Sequence, residues 1–365
     1  MSDRPVGVGI IGCGVISSAY LQRLAMFPFL EVRAVADLLP ERAAAKAAEF
    51  SIARSCSPDE LLADPEVDVV INLTIPAAHA ALGLAAIDAG KSVYTEKPLA
   101  LTRTEGQAVM AAADAKGVRV GCAPDTFLGA GLQTCRRLLD DGAIGEPLGA
   151  TGFMVGPGPE GWHPDPAFFY QHGAGPLFDV GVYYLTAFVS LLGPVARVSG
   201  SARISRAQRP IGSERLRGQL IDVEVPTHIS MSLDFASGPV ATVVASFDVQ
   251  ASRLPRMEIY GTEGTLSLPD PNTFGGPVRV RKAGESEWTE IPLVDGYAEQ
   301  ARGIGLADMV LAMHEKRPHL ASGEVALHVL DLMQAVHEAS ADERYVHPVT
   351  TCARPEPLAY PQVVG

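Results

Sequence analysis

With 365 residues, 47% of them apolar, the chain can fill more than one hydrophobic core, so two domains are expected. A formal charge of −13 with no offsetting basic block excludes a nucleic-acid partner, because that affinity comes from cations neutralising phosphates. The longest apolar stretch, residues 67–90, is broken by Asp68, Asn72, Pro76, His79 and Asp88, which excludes a bilayer span and with it a membrane partner.

Residues 1–5 run straight into an apolar strand pattern, without the charged and apolar regions of a signal peptide, so a cytoplasmic location is expected. Residues 6–11, 31–36, 67–73, 92–95 and 118–121 read as short β-branched strands, with helical patterns between them. Ser57-Pro58-Asp59-Glu60 and Thr102-Arg103-Thr104-Glu105 match the capping box, in which a hydroxyl and a carboxylate satisfy the free amides of a helix start. Strands alternating with capped helices predict βαβ units, hence a doubly wound parallel α/β sheet over residues 1–123.

Beyond Pro124 the pattern changes. A helix at 128–141 leads to strands at 229–235, 240–247, 257–260 and 265–268, with hairpin signals at Gly238-Pro239 and Glu263-Gly264. Two late helical patterns, 304–316 and 323–340, are expected to cover part of that sheet. Residues 124–365 are therefore predicted to be an α+β domain on a large, open, mainly antiparallel sheet. The Pro/Gly-rich stretch 156–164 reads as a loop, and loops on rigid scaffolds often line binding sites. Cys13, Cys56, Cys122, Cys135 and Cys352 are odd in number and widely spaced, which suits reduced core thiols.

Gly12-Cys13-Gly14-Val15-Ile16-Ser17 joins the first strand to a helix, the setting in which a glycine fingerprint has mechanical meaning. Gly12 permits the tight turn, and Gly14 lets backbone approach a pyrophosphate at the positive helix end. Ser17 stands where a third glycine is usual, and is still small enough for close packing. Asp37, about 20 residues on at the end of the second strand, can accept hydrogen bonds from an adenosine ribose. Its charge would repel a 2′-phosphate, which favours NAD, while nearby Arg42 keeps NADP in play.

Thr95-Glu96-Lys97-Pro98 closes the fourth of these main parallel strands. Together with the glycine turn, His79, the run Gly173 to Tyr183 and Gly261-Thr262-Glu263-Gly264, it resembles the Gfo/Idh/MocA family, which includes glucose-fructose oxidoreductase and inositol dehydrogenase. The resemblance implies a cofactor site from Gly12, Gly14, Val15, Ile16, Asp37, Thr74, Pro76, His79, Glu96 and Lys97. It also implies a catalytic Lys97, preceding a Lys-Pro peptide that is often cis in relatives, with Asp179 in the substrate site and an acid-base residue four positions later. In many relatives that residue is His; here it is Tyr183, similar to the tyrosine branch of the family.

Moving hydride from a carbinol carbon also requires a base for the hydroxyl proton. Lowering a tyrosine pKa from about 10 to about 7 takes roughly 4 kcal/mol of preference for phenolate. An ammonium within about 4 Å supplies an interaction of that size at an intermediate dielectric. Asp179 and Tyr183, four apart, share a face if the segment is α-helical. Trp162 and His163, and also His172, flank the expected cleft; Trp162 could stack on a sugar ring or simply anchor its loop. His163 and His172 lack acids at ligand spacing, so no metal is expected.

The expected activity is an NAD(P)-dependent dehydrogenase or reductase of a sugar, glycoside or cyclitol. Two alternatives stand beside it: an NAD-dependent glycoside hydrolase or lyase that works by transient oxidation, and a non-catalytic dinucleotide sensor, which would not need Lys97 and Tyr183. An antiparallel sheet covered on one face leaves the other, expected to be apolar, for a homodimer or homotetramer.

Overall fold

The first β-branched run forms β1 (Val6–Ile11), and the glycine turn delivers the chain into α1 (Val15–Leu24). The alternation continues through β2 (Leu30–Ala36), α2 (Pro40–Phe50), β3 (Ser55–Cys56), α3 (Pro58–Leu62), β4 (Val69–Asn72), α4 (His79–Asp88), β5 (Ser92–Thr95), α5 (Arg103–Lys116) and β6 (Val120–Cys122). This is seen in a computed structural model, which describes residues 4–359. All pairings are parallel, in the order β3-β2-β1-β4-β5-β6. Val8, Ile10, Val69, Val70 and Ile71 are fully buried, as expected of a parallel sheet covered on both faces. Both capping boxes form, Ser57 at α3 and Thr102 at α5.

The chain divides into two compact units. The first comprises the described parts of Met1–Ala130, Asp295–Leu327 and Pro355–Gly365; the second comprises Gly131–Val294 and His328–Arg354.

In chain order the remaining elements are α6 (Ala130–Asp140), β7 (Pro147–Val155), α7 (Val182–Leu192), β8 (Val195–Arg203), β9 (Gln208–Pro210), β10 (Leu220–Asp222), β11 (His228–Phe235), β12 (Val240–Ser246), β13 (Met257–Gly261), β14 (Gly264–Leu268), β15 (Val278–Lys282), β16 (Thr289–Ile291), α8 (Ile304–Glu315) and α9 (Gly323–Asp342). Eight strands form one sheet, in the order β16-β15-β14-β13-β7-β12-β11-β8. Only β7 and β12 pair in parallel; the hairpins expected at Gly238-Pro239 and Glu263-Gly264 join β11 to β12 and β13 to β14.

Alternation along β11 buries Ile229, Met231, Leu233 and Phe235, and in-register neighbours Ala241, Val243, Val198, Ala150 and Ile259 share that face. α7 and α9 cover it. Gly152 leaves room for Phe188 of α7, and Ser340 of α9 accepts the N–H of Ala202.

Two expectations are corrected here. The other face of the eight-stranded sheet is not apolar throughout: it carries Ser199, Ser201, Ser230, Ser232, Thr242 and Thr151 beside Val244, Phe153 and Tyr260. Small hydroxyl residues fit a pleated surface without needing burial. Residues 304–316, expected to pack with this sheet, instead form α8 within the first unit, where buried Asp125 accepts the N–H groups of Gly303 and Gly305 at 2.9 and 3.1 Å. Ile304 to Ala312 are all buried, Asp308 included, and a helix buried all round gives no apolar stripe from which to read its partner.

Candidate active site

Four loops of the first unit leave the carboxyl ends of β1, β2, β4 and β5, at the point where the strand order reverses around β1. Open α/β sheets bind ligands at such an edge. A ladder of backbone bonds fixes the loops to one another: Gly12 N–H to Ala36 O, Leu73 N–H to Ile11 O, Glu96 N–H to Asn72 O, and Ala123 N–H to Thr95 O, at 2.8–2.9 Å. Gly12 has φ +104°, and a Cβ there would lie 2.5 Å from the Leu73 carbonyl carbon, so the turn requires glycine.

A Cβ on Gly14 would meet nothing within 4 Å. Gly14 begins α1, whose first turn has no acidic residue and whose N-cap makes no side-chain hydrogen bond. That is open space above a positive helix end, and it suits a pyrophosphate. Val15 is exposed and Ile16 half-buried beside it. Asp37 Oδ2 accepts the Cys13 N–H at 2.8 Å and Oδ1 the Leu39 N–H at 2.9 Å. A carboxylate has about four lone-pair sites, so capacity remains for ribose hydroxyls. Exposed Leu38 supplies no cation for a 2′-phosphate, while Arg42 is exposed on α2. The residues present fit a dinucleotide. Burial, and then Asp37, push the Cys13 thiol up to about 11, so it stays protonated and unreactive.

Lys97 follows β5, half-buried, and its peptide bond to Pro98 is cis. Glu96 is 8% exposed and is held at both oxygens: Oε1 accepts Tyr20 Oη–H of α1 at 2.8 Å, and Oε2 accepts the Lys97 N–H at 3.0 Å. Burial and then Glu96 push the Tyr20 phenol well up, which keeps it a donor. Thr74 is pinned by Asn72, whose Oδ1 accepts Thr74 Oγ1–H at 2.6 Å, and Pro76 opens an exposed turn.

His79 begins α4, fully buried, with Nδ1 2.6 Å from Pro98 O and Nε2 3.0 Å from Thr74 O. Burial lowers its pKa despite those carbonyls, and a neutral ring donates to one of them at a time. His79 thus braces the Lys97-Pro98 loop against the Thr74 loop.

In the second unit Asp179 lies within a π-helical turn, Leu177–Gly181, and Tyr183 is the second residue of α7, 6% exposed. The expectation of one continuous α-helical face is corrected: wider winding carries Asp179, and such turns recur at functional sites. Trp162 is exposed, and half-buried His163 accepts the Asp165 N–H at Nδ1, at 3.1 Å. His172 is exposed.

Reading the sequence missed Tyr20, Asn72 and Asp125, whose roles depend on partners 76 residues away for Tyr20 and 178 for Asp125; only Asn72, two residues from Thr74, carried a local signal. Among the described residues, no group of three or more His, Cys, Asp or Glu could hold a metal, and no helix is long and apolar enough to cross a membrane.

Residues 6–123 match the model of an oxidoreductase family NAD-binding Rossmann fold, and residues 132–267 match the GFO/IDH/MocA C-terminal domain. Inositol 2-dehydrogenase/D-chiro-inositol 3-dehydrogenase of Lacticaseibacillus casei is 33% identical over 80% of this chain and 80% of its own length. Inositol 2-dehydrogenase 3 of Saccharopolyspora erythraea is 30% identical over 78% and 80%, and levoglucosan dehydrogenase of Pseudarthrobacter phenanthrenivorans 28% over 72% and 73%. A solved levoglucosan dehydrogenase, in complex with NADH and L-sorbose, matches in fold with a TM-score of 0.82 over 94% of this chain and 99% of that one, at 24% identity.

Proposed function

The chain belongs to the Gfo/Idh/MocA family of NAD-binding oxidoreductases, and from that premise we propose that it moves hydride between nicotinamide and a hydroxyl-bearing carbon of a sugar, glycoside or cyclitol. The observation that carries this reading is the edge itself: Gly12, Gly14 and Asp37 follow β1 and β2, while Glu96 and Lys97 follow β5 across the switch point. Relatives named for inositols and levoglucosan support a ring polyol as substrate.

NAD, when bound, supplies the hydride acceptor. The chain's own residues then have three tasks. Gly12, Gly14, Val15 and Ile16 receive the pyrophosphate on backbone amides, and Asp37 takes the ribose hydroxyls. Lys97 holds the substrate hydroxyl and favours its alkoxide, and Tyr183 takes or returns the proton. Asp179 orients the substrate, and Trp162 and His163 contact its ring. A second copy of the chain is the partner assigned to the uncovered face of the eight-stranded sheet.

The test is a panel of sugars, glycosides and inositols offered with NAD and then NADP, followed by absorbance of the reduced nicotinamide. Turnover with at least one ring polyol, and NAD preferred, is the expected result. Inactivity with every polyol, together with aglycone release without net NADH, would replace it with the transient-oxidation reading.

A further inference from the structure

β9 and β10 form a two-stranded ribbon separate from the large sheet, and Arg209 at its centre is 3% exposed. Its Nε donates to Glu160 Oε1 at 2.7 Å and its Nη1 to Asp248 Oδ1 at 2.5 Å, while Nη2 reaches the carbonyls of Pro157 and Phe247, both at 2.9 Å. Glu160 Oε2 accepts the Tyr170 hydroxyl, and Asp248 Oδ2 accepts Thr227 Oγ1–H at 2.7 Å. The N–H groups of Gly212 and Ser213 close on Glu160 O. One planar guanidinium thus ties residues 157–160 to β9 and to the end of β12, a geometry that an ammonium cannot reproduce. Gly158 sits inside the knot at φ +93°, where a Cβ would lie 2.4 Å from Glu160 Oε2 and 2.6 Å from the Tyr170 hydroxyl.

The segment fixed in this way leads directly into Trp162 and His163. Below them His163 meets Phe168 and Phe169 edge-on at 5.2 and 5.1 Å, and Trp162 meets Phe169 at 6.3 Å. Trp162 is nevertheless 69% exposed and Phe168 51%. Large aromatic surface left in water on a rigid base is surface kept for a ligand. A buried ion cluster is weak evidence for stability, since desolvation offsets much of its attraction, so a role in fixing one geometry is the better account of it.

We propose that Arg209 is a positioning residue: it locks the loop that carries Trp162 and His163, so that their rings meet the apolar face of a sugar or cyclitol ring. The proposal rests on the substrate reading given above. Arg209 touches neither substrate nor cofactor.

The chain has two tryptophans, so Trp288→Phe leaves Trp162 as the sole reporter. In that full-length background Arg209→Met and, independently, Gly158→Ala are expected to raise acrylamide quenching of Trp162 about 1.3-fold, within the headroom that its 69% exposure leaves. They are also expected to raise the KM for the best polyol about tenfold, with kcat within about threefold, the signature of lost binding rather than lost chemistry. A far-ultraviolet circular dichroism spectrum and a cooperative thermal transition like the parent's confirm that the full-length variants fold, and Arg209→Lys should recover only part of the KM. Quenching equal to the parent's in both variants would overturn the proposal, as would looser quenching with an unchanged KM. Should Arg209→Met fail to fold, Gly158→Ala and Arg209→Lys decide. If the parent turns over no polyol, the substrate reading fails, while the quenching comparison still decides whether Arg209 holds the loop.

Discussion

The nucleotide edge of the first unit and the Trp162 loop of the second hold their residues by different means. At the edge the backbone does the holding: strand ends pass hydrogen bonds from loop to loop, and Gly12 is the one position with no room for a side chain. In the loop one side chain is the hub, as Arg209 gathers two carboxylates and two carbonyls from segments 38 to 52 residues away in sequence, with Tyr170 and the Gly212 and Ser213 N–H groups also closing on Glu160. A frame made of backbone tolerates many side-chain changes and fails at a glycine; one centred on a buried guanidinium fails at that side chain and at Gly158, which makes room for the ion cluster. On the proposed reading, cofactor and substrate recognition should therefore be separable by mutation.

The largest break in that comparison is chemical. Lys97→Ala should leave NADH binding within about threefold of wild type yet cut turnover by about 10³-fold, in the range of acid-base and electrostatic groups. Steady-state rates beside NADH fluorescence titration would check it, and ordinary turnover in the variant would remove Lys97 from the site. Gly12→Ala comes next. Its Cβ must displace the Leu73 carbonyl while an L-residue adopts φ +104°, a strain of about 1–3 kcal/mol. At 1.4 kcal/mol per decade this weakens NADH binding by about fivefold to 140-fold, with the KM for polyol little changed. Wild-type affinity would show that the turn has a second way to form.

Asp37→Ala sharpens the contrast more finely, because Asp37 accepts the Cys13 and Leu39 N–H groups and is also the residue proposed to take the ribose hydroxyls. Removing it should weaken NAD about tenfold, one or two charge-assisted hydrogen bonds' worth, while NADP loses less, since a repulsion goes with it. The ratio of the two dissociation constants is the measurement. An unchanged ratio would mean that Asp37 supports the turn and does not select the cofactor.

The same division governs what could be read in the sequence. In the first unit local rules suffice: β1 forms at the residues expected, and the Ser57 and Thr102 boxes cap α3 and α5 because every partner lies within three residues. In the second unit β11, β12, β13 and β14 appear where alternation placed them, yet β7, at the centre of the sheet, did not stand out. It opens on Pro147 and holds Gly149 and Gly152, residues that argue against a strand; Gly152 is there because Phe188 of α7 packs over it. The π turn before α7 was equally hidden, because spacing of four suits an α-helix as well. Arg209, Glu160 and Asp248 carry no local signal, because only β9 and the end of β12 bring them together. Short-range grammar identifies the cofactor edge; long-range side-chain chemistry builds the Trp162 loop.

Tyr20 carries the smallest expected effect and joins the two kinds of holding. Its hydroxyl is a side-chain bond within the backbone-built edge, reaching from α1 to Glu96, whose other oxygen receives the Lys97 N–H. Tyr20→Phe keeps the ring and removes only that donor, leaving a carboxylate oxygen buried with one partner fewer. Such a loss costs about 1–3 kcal/mol, which in a unit of this size lowers Tm by roughly 2–10 °C. If Glu96 also orients Lys97, kcat should fall about threefold to tenfold while NADH binding stays near wild type. Calorimetry gives the first number and steady-state kinetics the second. A lowered Tm with full kcat would make Tyr20 a structural brace alone, with Lys97 positioned by its own loop; an unchanged Tm would mean that water replaces the phenol at Glu96, and that this corner of the edge is held by backbone after all.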